Sequence, residues 1–359
     1  MRKTIYILLL IATIWGCDNE TPMEIPAHDP ASIYLTAVTG MTETTRTPYE
    51  YTVPNRSNEG ILRTEVWATS NKGTYFSNDW NGKNHGNDVA IHTLTNFDSE
   101  HPKLLNQAVY PQSGTPVYFI GLHPQNMWQL SDDGKKTSCT FTGCEDLMYA
   151  TRKEGQYASP NPTLGYQVRE LYFQHLLTLV NIKMVAEDQM TTQAWGKITD
   201  IKISSKNTCS INIGNEGTQN VNSDVDYGYS SADAKKLPLF KKGTNEIFPT
   251  VGGYLLDYYP NVSTPQEVAY VMCSPVDAIK TVVVDGNEEP YYEYTLDIVT
   301  ERRNVSIPID LRINSETLFE GSTRSRSFTL TLTFKMGNTI LVSGDVVDWT
   351  FEGNSNVEL

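Results

Sequence analysis

The sequence predicts an all-β protein on the basis of three observations. Short strand-like segments separated by turn residues run through the chain, and sustained 3.6-residue periodicity is rare. Phe328–Met336 alternates strictly between apolar residues and Thr or Lys, which is the pattern of a half-buried strand. Leu171–Met184 is the longest β-rich apolar run outside the N-terminus, and it carries apolar residues on both faces. Although a helix is the alternative for that run, a central strand covered on both faces fits the two layers of a β-sandwich.

The predicted strands fall into two groups on either side of a polar stretch. The first group contains seven segments: Ser32–Val38, Leu62–Ser70, Val89–Leu94, Pro116–Leu122, Leu147–Ala150, Leu171–Met184 and Lys197–Ile213. The second group also contains seven: Tyr254–Tyr258, Val268–Cys273, Thr281–Val284, Tyr291–Ile298, Asn304–Ile313, Ser327–Met336 and Thr339–Trp349. Between them, Gly214–Ala234 is rich in Asn, Asp, Ser and Gly, so we interpret it as a linker or a long surface loop. We therefore expect two domains, 17–218 and 219–359, after a signal peptide at 1–16.

Composition and charge describe a folded protein that does not bind nucleic acid. The 359 residues are 39% hydrophobic and 19% charged, which suits a chain with a substantial core. The net charge of −14 would repel phosphates, and the basic residues form no cluster longer than isolated pairs. We therefore exclude nucleic acid as a partner.

The N-terminus has the features of a bacterial lipoprotein signal. Arg2 and Lys3 precede an apolar core at Ile5–Ile14, which is too short for a permanent transmembrane helix. Trp15-Gly16-Cys17 follows directly and resembles a lipobox, so we expect cleavage before Cys17 and lipidation of that residue. An ordinary secretory cleavage is the alternative.

The remaining cysteines and the histidines do not form a metal-ligand pattern. Cys139 and Cys144 could close a short disulfide loop, and buried free thiols are the alternative. The polar loop Ser77–Asp88 lacks the residue alternation and the terminal Glu of a calcium loop. His175 lies in the predicted central strand, where a core histidine satisfied by a neighbour is expected. We therefore expect no metal and no cofactor.

Catalytic signatures are also missing from the sequence. It contains no Gly-x-Ser-x-Gly elbow, no phosphate-binding loop that ends in Gly-Lys-Ser/Thr, and no His-Glu-x-x-His. Asp132-Asp133-Gly134 and Asp285-Gly286-Asn287 are typical of turns. We therefore expect a protein that is not an enzyme.

Several segments together resemble a known family over nearly the whole chain. In order, they are the lipobox ending at Cys17, Tyr110-Pro111, Pro116–Pro124, Asp146–Ala150, Phe173–Leu177 leading into Val180 and Ile182, and Val346–Trp349. Their order and spacing resemble the fimbrillin family, the lipoprotein-derived pilins and pilin-like proteins of type V pili. The resemblance implies two transthyretin-like β-sandwich domains in tandem and a structural role in the cell-surface fimbrium, as a stalk, tip or anchor subunit.

The same resemblance implies a processing site. In fimbrillins an arginine-specific protease cuts a loop after the first strand, and a strand from a neighbouring subunit replaces the strand that is removed. Here the strand-like Ser32–Val38 precedes the polar loop Thr39–Pro48, so we expect cleavage at Arg46. Arg56 and Arg63 are alternatives further along the chain. An ordinary surface arginine beside a permanent edge strand is the remaining alternative.

The expected partners follow from that assembly mechanism. They are other pilin subunits through strand exchange, the outer membrane through a lipid anchor before processing, and a host or bacterial surface receptor. Thr350–Leu359 is too polar to be a donor strand by alternation, which suits a tip or accessory subunit. The alternative function is a monomeric surface lipoprotein that binds glycans, with Trp80, Trp128 and Tyr291-Tyr292 stacking on sugar rings.

Overall fold

The structure is a computed structural model of the chain. It describes residues 36–39, 64–70, 72–73, 90–98, 101–104, 110, 114–156, 170–228, 234–276, 280–284, 287–291, 294–309, 324–337 and 339–348. The prediction of an all-β protein is confirmed, because two short helices are found among many strands in these ranges.

The strands and helices are numbered in chain order. In the first half they are β1 Thr36–Thr39, β2 Thr64–Thr69, β3 Ala90–Asp98, β4 His101–Leu104, β5 Val117–His123, β6 Gln129–Leu130, β7 Lys136–Thr140, β8 Met148–Gly155, β9 Glu170–His175, β10 Thr178–Ala186 and α1 Gln189–Trp195. In the second half they are β11 Ile198–Ser205, β12 Thr208–Asn212, α2 Val221–Asp224, β13 Val225–Asp226, β14 Lys235–Lys241, β15 Ile247–Phe248, β16 Glu267–Cys273, β17 Lys280–Val284, β18 Asn287–Tyr291, β19 Thr295–Thr300, β20 Asn304–Pro308, β21 Arg326–Phe334 and β22 Ile340–Asp348.

Two large sheets organise the described chain. The seven-stranded sheet has the order β1-β9-β8-β5-β2-β3-β4. The larger sheet has the order β20-β19-β11-β14-β16-β10-β21-β22, with β15 added beside β14. A smaller sheet with the order β13-β12-β7-β6 and the hairpin β17-β18 complete the strand pairing. β17 and β18 pair on either side of the predicted turn Asp285-Gly286-Asn287. The second strand is Asn287–Tyr291, whereas the predicted strand began at Tyr291.

The predicted central strand is correct in its burial and wrong in its length. β10 lies between β16 and β21, antiparallel to the first and parallel to the second. Leu179 and Val180 point to opposite faces and are 2% and 0% exposed, so both faces are covered. Leu171–Met184 is nevertheless two strands, because β9 belongs to the seven-stranded sheet and β10 to the larger one.

The chain passes between the two sheets at Leu176-Leu177, and hydrogen bonds hold this crossing. The Leu176 N–H donates to the carbonyl oxygen of Leu147 at 2.7 Å, and the Ser325 N–H donates to the carbonyl oxygen of Leu177 at 3.1 Å. The Tyr227 hydroxyl donates to the carbonyl oxygen of Leu176 at 2.5 Å. Backbone groups that leave one sheet before joining the next are thereby satisfied.

Of the two interpretations of Gly214–Ala234, a linker or a long surface loop, a free linker is wrong for its described residues, 214–228 and 234. Most of these residues lie at the surface, although α2 and β13 interrupt the loop. The stretch contributes three buried side chains to the core, those of Val221, Val225 and Tyr227. The Arg152 guanidinium donates to the carbonyl oxygens of Asn215 and Gly217 at 2.6 and 2.5 Å, which ties the stretch to β8. Polar composition predicted exposure here, whereas the few apolar side chains enter the core and the polar groups satisfy one another.

The division into domains remains a prediction, and sheet membership favours a different boundary. β10 and β11 precede residue 218, yet they pair with β14, β16, β19 and β21, which all follow it. A boundary near Leu176 would keep the larger sheet within one unit.

Two other predicted segments differ from the structure. Lys197–Ile213 is divided into β11 and β12, which lie in different sheets. Tyr254–Tyr258 forms only isolated bridges, from Tyr254 to Ile198 and from Tyr258 to Ala186. Strand β14 was not predicted, because its three lysines and one proline weaken the alternation.

Candidate functional site

The edge of the seven-stranded sheet formed by β1 and β9 is the candidate functional site. β1 is the end strand, and it runs parallel to β9 with Thr36 opposite Glu170 and Thr39 opposite Phe173. A parallel pair cannot be joined by a tight hairpin, so β1 reaches this position from a distant part of the sequence. β1 also lies beside β4, the strand at the other end of the sheet, with Cα–Cα separations within 8 Å.

The first half of β9 depends on β1 for its backbone pairing. β8 pairs with β9 on the opposite side, from Ala150 opposite Phe173 to Met148 opposite His175. Within the described strands, residues 170–172 of β9 therefore pair with β1 alone. Loss of β1 would leave this part of β9 as an open edge, and open edges are templates for an added strand.

The side chains of β9 alternate between the core and the surface. Leu171 and Phe173 are 0% and 2% exposed, whereas Tyr172 is 41% exposed. The Lys153 ammonium lies over the ring of Tyr172, 5.4 Å from its centroid. A strand that pairs with β9 would therefore extend a sheet that has one face in the core and one face in solvent.

The core face of β9 packs against Gly121 of β5. A Cβ added at Gly121 would lie 2.4 Å from Cζ of Phe173 and 3.1 Å from Cβ of Ala150, so the absence of a side chain makes room for the phenylalanine ring. Glycine inside a strand marks such a close approach. A glycine between Ile120 and Leu122 in an apolar strand indicates a close approach from the sequence alone. The sequence does not indicate that Phe173 is the residue that approaches.

Three segments that carry the family resemblance meet at this site. Pro116–Pro124, Asp146–Ala150 and Phe173–Leu177 contain all of β5, part of β8 and part of β9, which are neighbours in the sheet. The Asp146 carboxylate is 3.0 Å from Nδ1 of His175, and both side chains are buried. The prediction that His175 is a core histidine satisfied by a neighbour is confirmed.

The two predicted modification sites fall elsewhere in the chain. Cys17 and Arg46 lie outside the described residues, so lipidation and cleavage stay predictions. Arg56 and Arg63 lie outside them as well. β1 ends at Thr39, which is seven positions before Arg46 in the sequence.

The cysteines of the described chain are all free thiols. Cys139 is buried on β7, opposite Cys209 of β12, and Cys144 is half-buried with its sulfur 3.3 Å from Oγ1 of Thr142. The structure therefore has the free-thiol alternative rather than the Cys139–Cys144 disulfide. Burial raises the pKa of the Cys144 thiol, which reduces its thiolate fraction.

Trp128 is 7% exposed and packs in the main hydrophobic core. The glycan-binding alternative included this indole as a stacking platform, and its burial overturns that part of the hypothesis. Trp80, Tyr292 and the loop Ser77–Asp88 lie outside the described residues.

Within the described chain, no group of three or more His, Cys, Asp and Glu residues is placed to hold a metal ion. Neither described helix is long enough or apolar enough to cross a membrane.

Comparison with known proteins places the chain in a family. A profile of the fimbrillin-like family matches residues 45–349. No curated relative matches the sequence. A candidate cell adhesion protein from Bacteroides uniformis has 14% sequence identity and a TM-score of 0.50, with 90% of this chain and 100% of that chain covered.

Two further solved structures are similar over comparable lengths. A candidate cell adhesion protein from Bacteroides ovatus has 11% identity and a TM-score of 0.45, with 91% of this chain and 100% of that chain covered. The fimbrial anchor protein Mfa2 from Porphyromonas gingivalis has 10% identity and a TM-score of 0.39, with 89% and 98% covered. The likeness to the Bacteroides uniformis protein shows a shared fold. Because the family profile spans most of the sequence, this chain belongs to the fimbrillin-like family.

Proposed function

We propose that this protein is a structural or accessory subunit of cell-surface pili, with a tip position included, and that it supports adhesion. It is exported as a lipoprotein to the outer membrane and assembled by protease-triggered strand exchange. Family membership supports the pilus role. The observation that carries the assembly mechanism is the parallel pairing of β1 with β9 at the edge of the seven-stranded sheet.

Cleavage after Arg46 would separate β1 from the rest of the chain. β1 spans only Thr36–Thr39 and pairs with β9 along a single side by strand hydrogen bonds. Once the covalent link is cut, a detached segment of that length is held by few interactions and can be replaced by a competing strand. The incoming strand restores the backbone pairing of residues 170–173, which is β-augmentation.

The alternation of β9 gives the exchange its side-chain selectivity. Leu171 and Phe173 face the core and Tyr172 faces outward, so alternate side chains of an incoming strand would meet apolar surface. The donor is another pilin subunit, which contributes main-chain hydrogen bonds for affinity and apolar side chains for register. A host or bacterial surface receptor would contact the assembled pilus at a separate surface.

Lipidation of Cys17 would hold the precursor at the membrane before processing. Each buried methylene of an acyl chain contributes about 0.8 kcal/mol, so two or three chains anchor the precursor stably. Cleavage at Arg46 removes the lipidated segment together with β1, which couples release from the membrane to opening of the edge.

The proposal is tested by treating purified precursor with an arginine-specific protease and sequencing the new N-terminus. We expect a chain that begins at Thr47 and forms multimers or captures a pilin. Arg46→Lys keeps the positive charge and should block both cleavage and assembly, whereas the matched changes Arg56→Lys and Arg63→Lys should leave them unchanged. A precursor that resists cleavage at Arg46, or a cleaved chain that stays an inert monomer, would overturn the mechanism.

The open edge can be probed directly with a fluorescent peptide of residues 32–39. We expect the peptide to bind the cleaved protein after the released segment is removed, and not the intact precursor. Leu171→Ala should weaken binding about tenfold, because roughly 1.4 kcal/mol of apolar contact is lost. Tyr172→Ala, on the exposed face of the same strand, is the matched control and should change affinity less than about twofold. Equal effects of the two substitutions would contradict the site.

A further inference from the structure

Cys139 and Cys209 face each other across two paired strands. β7 and β12 are antiparallel, and their register places Cys139 directly opposite Cys209. The side chains are 5% and 1% exposed, and both belong to the main hydrophobic core. The two cysteines are 70 positions apart in the sequence, so their spacing gives no local signal of the pair.

The place of this pair in the antiparallel ladder sets the distances that a disulfide would have to span. The Phe141 N–H donates to the carbonyl oxygen of Asn207 at 2.9 Å, two residues along the same ladder. Because the pairs alternate in an antiparallel ladder, Cys139 and Cys209 form the next hydrogen-bonded pair, with Cα atoms about 5.5 Å apart. That separation lies inside the range of roughly 4.4–6.8 Å between the Cα atoms of a disulfide. The Cβ atoms of a hydrogen-bonded pair are about 5.5 Å apart, whereas a disulfide needs roughly 3.5–4.5 Å, so the two strands must approach by about 1 Å when the bond forms.

The strand pair also joins two parts of the fold. β7 lies in the chain segment between β5 and β8, which are neighbours in the seven-stranded sheet. β12 lies in the segment between β11 and β14, which are neighbours in the larger sheet. In the small sheet, therefore, a connecting segment of the seven-stranded sheet pairs with a connecting segment of the larger sheet.

We propose that Cys139 and Cys209 form a disulfide in the exported protein. This bond, which we call the staple, links β7, which connects β5 to β8, with β12, which connects β11 to β14. The bond forms when the two thiols give up two protons and two electrons to the disulfide of a thiol oxidase, which is reduced to a dithiol. The inference rests on the proposed export, because an oxidising compartment supplies that oxidant.

Burial decides when the bond forms. In the folded chain, burial raises the pKa of the Cys209 thiol, so little of the reactive thiolate is present. Oxidation therefore belongs to the stage of folding at which β7 and β12 have paired and the core has not yet closed over them. After closure, the same burial shields the bond from reductants.

The staple would change how the protein responds to force. It closes a loop of about 70 residues that contains β8, β9, β10, α1 and β11. Since an extended chain spans about 3.3–3.6 Å per residue, roughly 240 Å of chain would be withheld from stretching while the bond is intact. A pilus subunit under shear would keep the edge strand β9 inside the closed loop.

The first test needs no export. Reduced, denatured protein is refolded with reduced and oxidised glutathione, alkylated with N-ethylmaleimide in denaturant, and digested for peptide mapping. We expect a linked peptide pair containing Cys139 and Cys209, with Cys144 and Cys273 alkylated. The link should persist in Cys144→Ala and Cys273→Ala and vanish in Cys139→Ala. Alkylation of both Cys139 and Cys209, or a Cys139–Cys144 link, would overturn the pairing.

The second test uses full-length protein recovered from the surface of the producing cell and alkylated in the same way. The linked peptide is expected there as well, and two alkylated thiols at these positions would overturn the claim for the exported protein. Pulling single oxidised molecules should release about 240 Å less contour length than pulling molecules treated with dithiothreitol. Equal lengths would also contradict the staple. These readouts are independent of cleavage at Arg46, so failure of the strand-exchange mechanism would be seen separately.

Discussion

The Phe173 ring of β9 packs over Gly121 of β5. A double-mutant cycle at these two positions is the most demanding test of this contact. In Gly121→Ala, the new Cβ would lie 2.4 Å from Cζ and 2.8 Å from Cε1 of Phe173, so the ring must move. Overpacking of this kind costs about 1–3 kcal/mol. The usual gain from replacing glycine inside a strand, about 0.5–1 kcal/mol, offsets part of that cost. We expect a net loss of roughly 1–2 kcal/mol in the free energy of unfolding.

Removing the ring should reverse the effect of the glycine substitution. Phe173→Ala alone should cost about 3–5 kcal/mol, because a buried aromatic side chain is deleted and a cavity remains. In that background Gly121→Ala meets no ring and fills part of the cavity, so it should be neutral or stabilising by up to about 1 kcal/mol. The interaction energy of the cycle is then roughly 1–3 kcal/mol, above the usual error of additivity of about 0.3–0.5 kcal/mol.

Urea denaturation followed by far-ultraviolet circular dichroism gives the four unfolding free energies. Gly217→Ala is the matched control, because a Cβ there has only Oδ1 of Asn215 within 4 Å, at 3.3 Å, and the site is exposed. It should change stability by less than about 0.5 kcal/mol in both backgrounds. If Phe173→Ala leaves too little folded protein, Phe173→Leu serves the same purpose. A Gly121→Ala cost that is the same with and without the ring would refute the packing argument.

Three further predictions test the leader, the interior strand and the sheet crossing. Cys17→Ser should release the precursor from the membrane fraction and abolish incorporation of labelled palmitate, and retention with label would contradict lipidation there. Leu179→Ala and Val180→Ala should each cost about 2–4 kcal/mol by urea denaturation, because both faces of β10 are buried, whereas the half-buried Lys183→Ala should cost much less; a loss at only one of the first two would argue against two-sided burial. Tyr227→Phe should cost about 1 kcal/mol by removing the hydroxyl donor to a buried carbonyl, and an unchanged urea midpoint would dismiss that bond.

Local patterning was sufficient for much of the strand content. Strict alternation in Phe328–Met336 predicted β21, where Phe328, Leu330, Leu332 and Phe334 are buried. The segments that resemble fimbrillins predicted β5, β8 and β9, and the apolar residues on both faces of Leu171–Met184 predicted two-sided burial. These features are readable because side-chain direction in a strand depends only on position along the chain.

Strand partners could not be read in this way. Nothing in Leu171–Met184 shows that the chain leaves one sheet at Leu176-Leu177 and enters another, because apolar residues continue through the crossing. The buried Tyr227 and the contacts of Arg152 with Asn215 likewise lie in a stretch whose polar composition indicated a linker. Composition reports the average of a segment, whereas a few side chains decide whether it packs.

By itself, the sequence determined the all-β class, the alternation of most strands, the negative net charge and the family resemblance, because each is a local or summed property of the residues. Only the tertiary structure decided that β1 lies parallel to β9, that Asp146 is the partner of His175, and that Cys139 faces Cys209 rather than Cys144. These pairings join residues that are between 29 and 134 positions apart, and no local preference specifies them. They are selected together, because closing one such contact fixes the geometry in which the others can form.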